Sequence, residues 1–186
     1  AASQGRALVA VRRGFVLGWV SGILFYAGSC YWVYHVMTLY GGLSAAVGAG
    51  VLVLFCLYVG VVHGLFGALL SWLGSRRDWA ERALLAAPFL WVGTELFRAR
   101  VIGFPWDLLG TVLVDNLPLS RIATATGVYG LSFEVMLVNT ALVAILFGRK
   151  QRRVLTLAAW VLLVGMMETG SFFEGPRAPS SGTARL

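Results

Sequence analysis

Charge is scarce in this chain over long distances, and that constrains its fold more than any motif does. Apolar runs at about 14–37, 44–73, 83–100, 119–147 and 154–170 alternate with short loops where the basic residues gather. A helix needs about 20 apolar residues to cross the hydrocarbon core of a bilayer. The third and fifth runs are near that minimum, while the second and fourth are long enough to tilt or to extend past the lipid. Composition agrees, with 59% hydrophobic and 12% charged residues, against about 45–50% and 25% in soluble domains. Twenty-three Gly and seven Trp fit the same class, since Gly is common in transmembrane helices and Trp at their interfaces. The sequence predicts an all-α, polytopic transmembrane helical bundle of about five spans.

The loops orient it. Arg6, Arg12 and Arg13 precede the first span, and the next connection, around Tyr40–Leu43, carries no charge. Arg76, Arg77 and Arg82 follow the second span, with Asp78 and Glu81, and Arg149, Lys150, Arg152 and Arg153 follow the fourth. The segment between the third and fourth mixes Arg98, Arg100 and Arg121 with Asp107 and Asp115. Basic loops stay in the cytoplasm, so the N-terminus is expected there and the C-terminal tail on the far side, the periplasm of a bacterial inner membrane. Residues 1–13 read as a cytoplasmic lead-in and 14–170 as the helical domain. An arm over about 101–117 is periplasmic or re-entrant, and 171–186 form a linker. Tyr31, Trp32, Tyr34 and Tyr40 mark the outer level, Trp72 and Trp79 the inner one. The net charge of +7 is spent on these loops and makes no surface patch, so nucleic acid is excluded as a partner. Gly14, Gly18 and Gly22, and likewise Gly60, Gly64 and Gly67, fall on helix faces that let backbones approach closely.

Few residues offer chemistry. Trp91, Glu95 and Arg98 share one helix face, near the outer end of the third span. A local ion pair that anchors the helix end and a polar wall facing a headgroup or a neighbouring domain are both open readings. Glu134 lies mid-run, on a face with Gly127, Gly130 and Ala141, and is expected to be buried in a small-residue seam. Asn139 lies on another face and reads as interhelical glue, a second buried polar position. His35 and His63 fall at different depths without a carboxylate or Cys at ligand spacing, so no metal or cofactor is expected. Cys30 and Cys56 read as small buried hydrophobes. Gly103, Pro105, Gly110 and Pro118 interrupt the segment after the third span. Irregular backbone at membrane depth requires protein or water to satisfy it, so this is a re-entrant or interfacial arm with Phe104 and Trp106 at headgroup level, or an ordinary aromatic-belt loop.

Three blocks resemble one family. Ala87-Pro88-Phe89-Leu90-Trp91-Val92-Gly93-Thr94-Glu95-Leu96-Phe97-Arg98, followed by Gly103-Phe104-Pro105-Trp106, is similar to the membrane domain of bacterial apolipoprotein N-acyltransferases. Tyr31-Trp32-Val33-Tyr34 before Gly41-Gly42 resembles the family's outer aromatic cluster, and Gly127-Val128-Tyr129-Gly130-Leu131-Ser132-Phe133 its later Gly-rich span. The resemblance runs from about Gly14 to Phe147. It implies an inner-membrane enzyme without a cofactor, whose partners are a phospholipid acyl donor and a diacylated apolipoprotein acceptor. In the family a Cys takes the acyl chain as a thioester and the lipoprotein's N-terminal amine then attacks it. A Glu acts as general base and a Lys supports the oxyanion, all in a nitrilase-like periplasmic domain. Residues 171–186 offer no counterpart of that Glu, Lys or Cys, and Cys30 and Cys56 do not replace them. Family members also carry further membrane segments, so the chain reads as a part that is inactive alone. The resemblance makes Trp91, Glu95, Arg98, Phe104, Pro105 and Trp106 a candidate lipid-approach or docking surface, with no catalytic residue in this chain. Glu134 stands where the family is usually apolar. The alternative is a small multi-span transporter or a membrane scaffold.

Overall fold

The computed structural model describes residues 2–75 and 80–147, together with Ala159, Val161, Leu162 and Gly165. The expected fifth span, the basic cluster at 149–153 and the tail at 171–186 fall largely or wholly outside these residues. Among the described residues every regular element is helical, as backbone in lipid must be when it closes no barrel.

Helix α1 (Ala2–Ser29) starts well before the expected lead-in ends, so the basic residues Arg6, Arg12 and Arg13 extend the first span as helix. It bends at Cys30 and continues as a short α2 (Trp32–His35) and a π-turn over Val36–Tyr40. Helix α3 (Ala45–Gly74) matches the second apolar run. Helix α4 (Ala80–Phe97) passes into a second π-turn, Arg98–Ile102. An arm follows, then a 3-10 turn (Leu109–Leu113), a short α5 (Leu117–Ser120) and α6 (Ala123–Phe147). The fourth run is therefore not one straight helix: it is broken near Gly127, whose φ of 67° is left-handed. Among the described residues three helices, α1, α3 and α6, are long and apolar enough to cross a membrane, and α4, at 18 residues, is shorter. Large apolar side chains such as Leu17, Leu24, Leu54, Phe89, Leu142 and Leu146 face outward, as a surface against lipid requires.

Helix α1 packs on α3, α3 on α4, and α4 on α6. The α1–α3 contact is the closest, and the glycine pattern explains it. A Cβ on Gly18 would collide with the backbone carbonyl of His63, and one on Gly67 with that of Gly14. At Gly22 it would lie 2.9 Å from the Gly60 Cα. Trp19 Nε1 donates to the Leu57 carbonyl at 3.0 Å across the same seam. This approach fixes the level of Tyr26 against α3, where it joins Cys30, Val33, Cys56, Val59 and Phe104 in the buried core.

Replacing Gly18 with Val should force α1 and α3 apart at a cost of about 1–3 kcal/mol, read as a lower thermal midpoint in detergent. Gly28, with open space at its Cβ position, is the control. Gly28→Ala should leave the midpoint unchanged, and an equal loss at both positions would sink the seam as the cause.

Candidate functional site: a pinned arm at one end of the bundle

The arm begins where α4 loosens into its π-turn. A π-turn re-aims the residues that follow it, and this one ends on Gly103, whose φ of 79° permits the reversal. Residues 104–108 then run without regular hydrogen bonding, so side chains must satisfy their polar backbone. Arg98 does most of this. Its Nη1 donates to the Trp106 carbonyl and to the Tyr26 hydroxyl, both at 2.8 Å, and its Nη2 donates to the Asp107 carbonyl at 3.0 Å. The guanidinium also lies over the Tyr26 and Phe104 rings, 5.8 and 5.6 Å from their centroids. Glu95 Oε1 accepts from Leu109 N at 2.7 Å, and Ser132 Oγ accepts from Gly110 N at 2.9 Å. Ser29 Oγ donates to Asp107 Oδ2 at 2.6 Å. Helices α1, α4 and α6 thus each hold one stretch of the arm. Gly110 has no room for a side chain, because a Cβ would meet the Ser132 nitrogen at 2.6 Å. Asp107 takes a left-handed φ of 59°, which short polar residues tolerate best.

The sequence-predicted residues separate into two roles. Glu95 and Arg98 do not pair with each other; each bonds to the arm, and both are buried, at 3% and 2% exposure. Phe104 is also buried, edge-on to Phe55 at 5.1 Å and to Tyr26 at 6.0 Å. α1 and α3 offer it an aromatic pocket, whereas Trp106, expected at the same level, is turned out, at 65% exposure. Pro105 is exposed as well. Trp91 points the other way, edge-on to His63 at 5.0 Å and to Phe66 at 5.1 Å. Glu134 is buried on α6 with Leu131, Ser132 and Ala141. Asn139, expected to be buried, is exposed among the described residues and donates to the Val135 carbonyl of its own helix at 2.9 Å. His35 is exposed. Cys30 and Cys56 are free and buried, and the Cys30 thiol points toward the Asp107 carboxylate at 4.0 Å.

Sequence reading missed Tyr26, Ser29, Asp107 and Ser132, all four of which hold the arm. Tyr26 and Ser29 were legible in part, as polar groups one turn apart in an apolar run, where a hydroxyl needs a partner. Nothing in the sequence links Ser29 to Asp107.

Residues 2–141 match the apolipoprotein N-acyltransferase N-terminal domain. The chain is 43% identical over 141 residues to the apolipoprotein N-acyltransferase of Geobacter metallireducens, covering 74% of this chain and 26% of that one. It is 37% identical over 139 residues to the Methylococcus capsulatus enzyme of the same name, covering 72% and 27%. With the Pseudomonas syringae pv. tomato enzyme it shares 34% over 187 residues, 94% of this chain and 35% of the relative. The chain therefore spans about a quarter to a third of the length of these relatives.

Arg98→Lys keeps the charge but loses the planar fork that reaches two carbonyls and a hydroxyl. It should cost about 1.5–3 kcal/mol and raise the mobility of Trp106, seen as lower fluorescence anisotropy. Tyr26→Phe removes one of the three bonds and should cost about 1 kcal/mol. A Lys variant as stable as the parent, with unchanged Trp106 emission, would show that the arm is held by something else.

Proposed function

We propose a function from one premise: the chain belongs to the apolipoprotein N-acyltransferase family, through that family's N-terminal domain. It serves as the membrane part of an enzyme that transfers an acyl chain from a phospholipid to the N-terminal diacylglyceryl-cysteine of a lipoprotein. The observation that carries the structural part of this reading is the pinned arm. Buried charged groups fix a short irregular segment and leave Pro105 and Trp106 exposed on it. A Trp at the boundary of lipid and water is stable there, with its ring in the apolar layer and its N–H in the polar one. On this reading Trp106 and Pro105 form the surface that lipid tails pass and on which a catalytic domain docks. Arg98, Glu95 and Phe104 hold that surface in place and do not touch the substrates, and Trp91 lines the bundle interior.

The orientation read from the basic loops puts the arm at the periplasmic face of a bacterial inner membrane, in a multi-pass protein. The phospholipid donor and the diacylated apolipoprotein acceptor then meet at that face. A thiolate nucleophile with an adjacent general base is what an acyl-thioester step requires. Cys30 and Cys56 are buried in the aromatic core, away from the face where substrates would arrive, which supports assigning the chemistry to residues other than these two.

Two measurements test the proposal. Purified as these 186 residues and incubated with radiolabelled phospholipid, the chain should acquire no hydroxylamine-labile label; a thioester on Cys30 or Cys56 would overturn the assignment of chemistry elsewhere. In a full-length family enzyme carrying this domain, Trp106→Ala should raise KM for the apolipoprotein or phospholipid about tenfold, equivalent to about 1.4 kcal/mol, with kcat and thermal midpoint little changed. An unaltered KM would remove Trp106 from the substrate-facing surface.

A further inference from the structure

Helices α1, α3, α4 and α6 surround a cavity of about 420 Å³. Polar side chains are scarce in these helices, yet each sends at least one to the lining: Ser21 from α1, His63 from α3, Thr94 and Glu95 from α4, and Asn139 from α6. Trp91 also lines the cavity and lies edge-on to His63 at 5.0 Å. Glu95 follows one turn later on the same face of α4, about 6 Å along the helix.

His63 Nδ1, Trp91 Nε1 and Glu95 Oε2 are buried and have no hydrogen-bond partner among the described residues. Buried polar groups are nearly always satisfied, and in a cavity both polar and roomy it is water that satisfies them. Water suits all three atoms, because an indole N–H only donates, a carboxylate oxygen accepts and an imidazole nitrogen does either. One water bonded to two groups spans about 5–6 Å between them, which is the scale of the spacings here. The consequence falls on Glu95. Its other oxygen, Oε1, accepts from Leu109 N at 2.7 Å. Both oxygens lie in one carboxylate plane, so a bond on Oε2 fixes the aim of Oε1. Among the described residues α3 makes no direct hydrogen bond to residues 104–110, and it meets them through Phe55, edge-on to Phe104 at 5.1 Å. Water between His63 and Glu95 gives α3 a polar hold on the arm, beside those of α1, α4 and α6.

We propose that this cavity is hydrated and that His63 is a positioning residue for the arm. Through cavity water it holds Glu95 Oε2, and Glu95 in turn holds Leu109. This role goes beyond acyl transfer and does not depend on what Trp106 meets.

The test uses the full chain in phosphatidylglycerol nanodiscs, with nitrogen-15 in its tryptophans and leucines. The Trp91 indole N–H, assigned by its loss in Trp91→Phe, should show magnetisation exchange with water. The Trp19 indole, which is bonded to the Leu57 carbonyl, is the control and should show none. His63→Phe keeps the ring contacts with Tyr26 and Trp91 and loses both nitrogens. Hydrogen exchange at the Leu109 amide should then speed up about fivefold, the loss of one bond's worth of protection. His63→Gln restores a group that can hold water and should return the rate to within about twofold of the parent. A Trp91 indole without water contact would overturn the hydration. Unchanged Leu109 exchange in a folded His63→Phe protein would overturn the positioning role, and so would equal acceleration by Phe and Gln, which would assign the effect to packing. Should the Phe variant not fold, His63→Met, unbranched and without a nitrogen, takes its place in the same comparison. Acyl transfer plays no part in the readout, so a negative result here leaves the proposed function standing, and the reverse also holds.

Discussion

The Arg98 guanidinium is the group on which the rest of this architecture depends. A cation at 2% exposure inside an apolar bundle is costly unless its donors are answered. Here they are answered by two backbone carbonyls of an irregular segment and by a tyrosine hydroxyl. The need is mutual, since carbonyls in residues 104–108 have no ladder of their own. Charge and arm therefore specify each other. Replacing the cation with an apolar residue would leave at least two carbonyls unanswered, and straightening the arm would strand the cation.

That arrangement works only if Tyr26 stands at the right height, and the glycine seam of α1 and α3 determines this. Backbones in direct contact leave little freedom to slide, so a register set near Gly18 and His63 is transmitted along α1 to Tyr26 and Ser29. Phe104 then fills the space between Tyr26 and Phe55, which locks the arm's first residue as the hydrogen bonds lock its later ones. The same rigidity argues against an ion pathway through the bundle. Arg98 and one oxygen of Glu95 are committed to fixed backbone partners, whereas a transport route needs polar groups that can exchange partners.

Much of the fold was legible because its signals are local. Run length and charge scarcity gave the helices, and α3 agrees with the second run to within a residue at each end. Glycine spacing gave the α1–α3 face, and mid-run placement gave the burial of Glu134. The misses have physical causes. Helix α1 carries the basic lead-in residues Arg6, Arg12 and Arg13 within it, since arginines are good helix formers. The break at Gly127 depends on one left-handed residue in an otherwise continuous apolar run, where glycine is too common to be diagnostic. Glu95 and Arg98 invited pairing because they are three residues apart, and that spacing carries no information about an arm that folds back over both. Asn139 reads as a donor to another helix, and here one of its amide hydrogens reaches the carbonyl four residues back in its own, as short polar side chains can.

Phe104 and Trp106 show where sequence reasoning of this kind reaches its end. They are two residues apart, both aromatic, on either side of one proline, and composition gives them identical prospects. The structure gives them opposite fates, because Pro105 and the left-handed turn at Asp107 send one ring inward and leave the other outside. What decides between them is the set of bonds to Trp106 and Asp107 carbonyls made from a residue on the preceding helix. A motif read as a string thus becomes a division of labour only when its backbone is traced. The buried half, Glu95, Arg98 and Phe104, fixes the geometry, and the exposed half, Pro105 and Trp106, is what the arm presents to its surroundings.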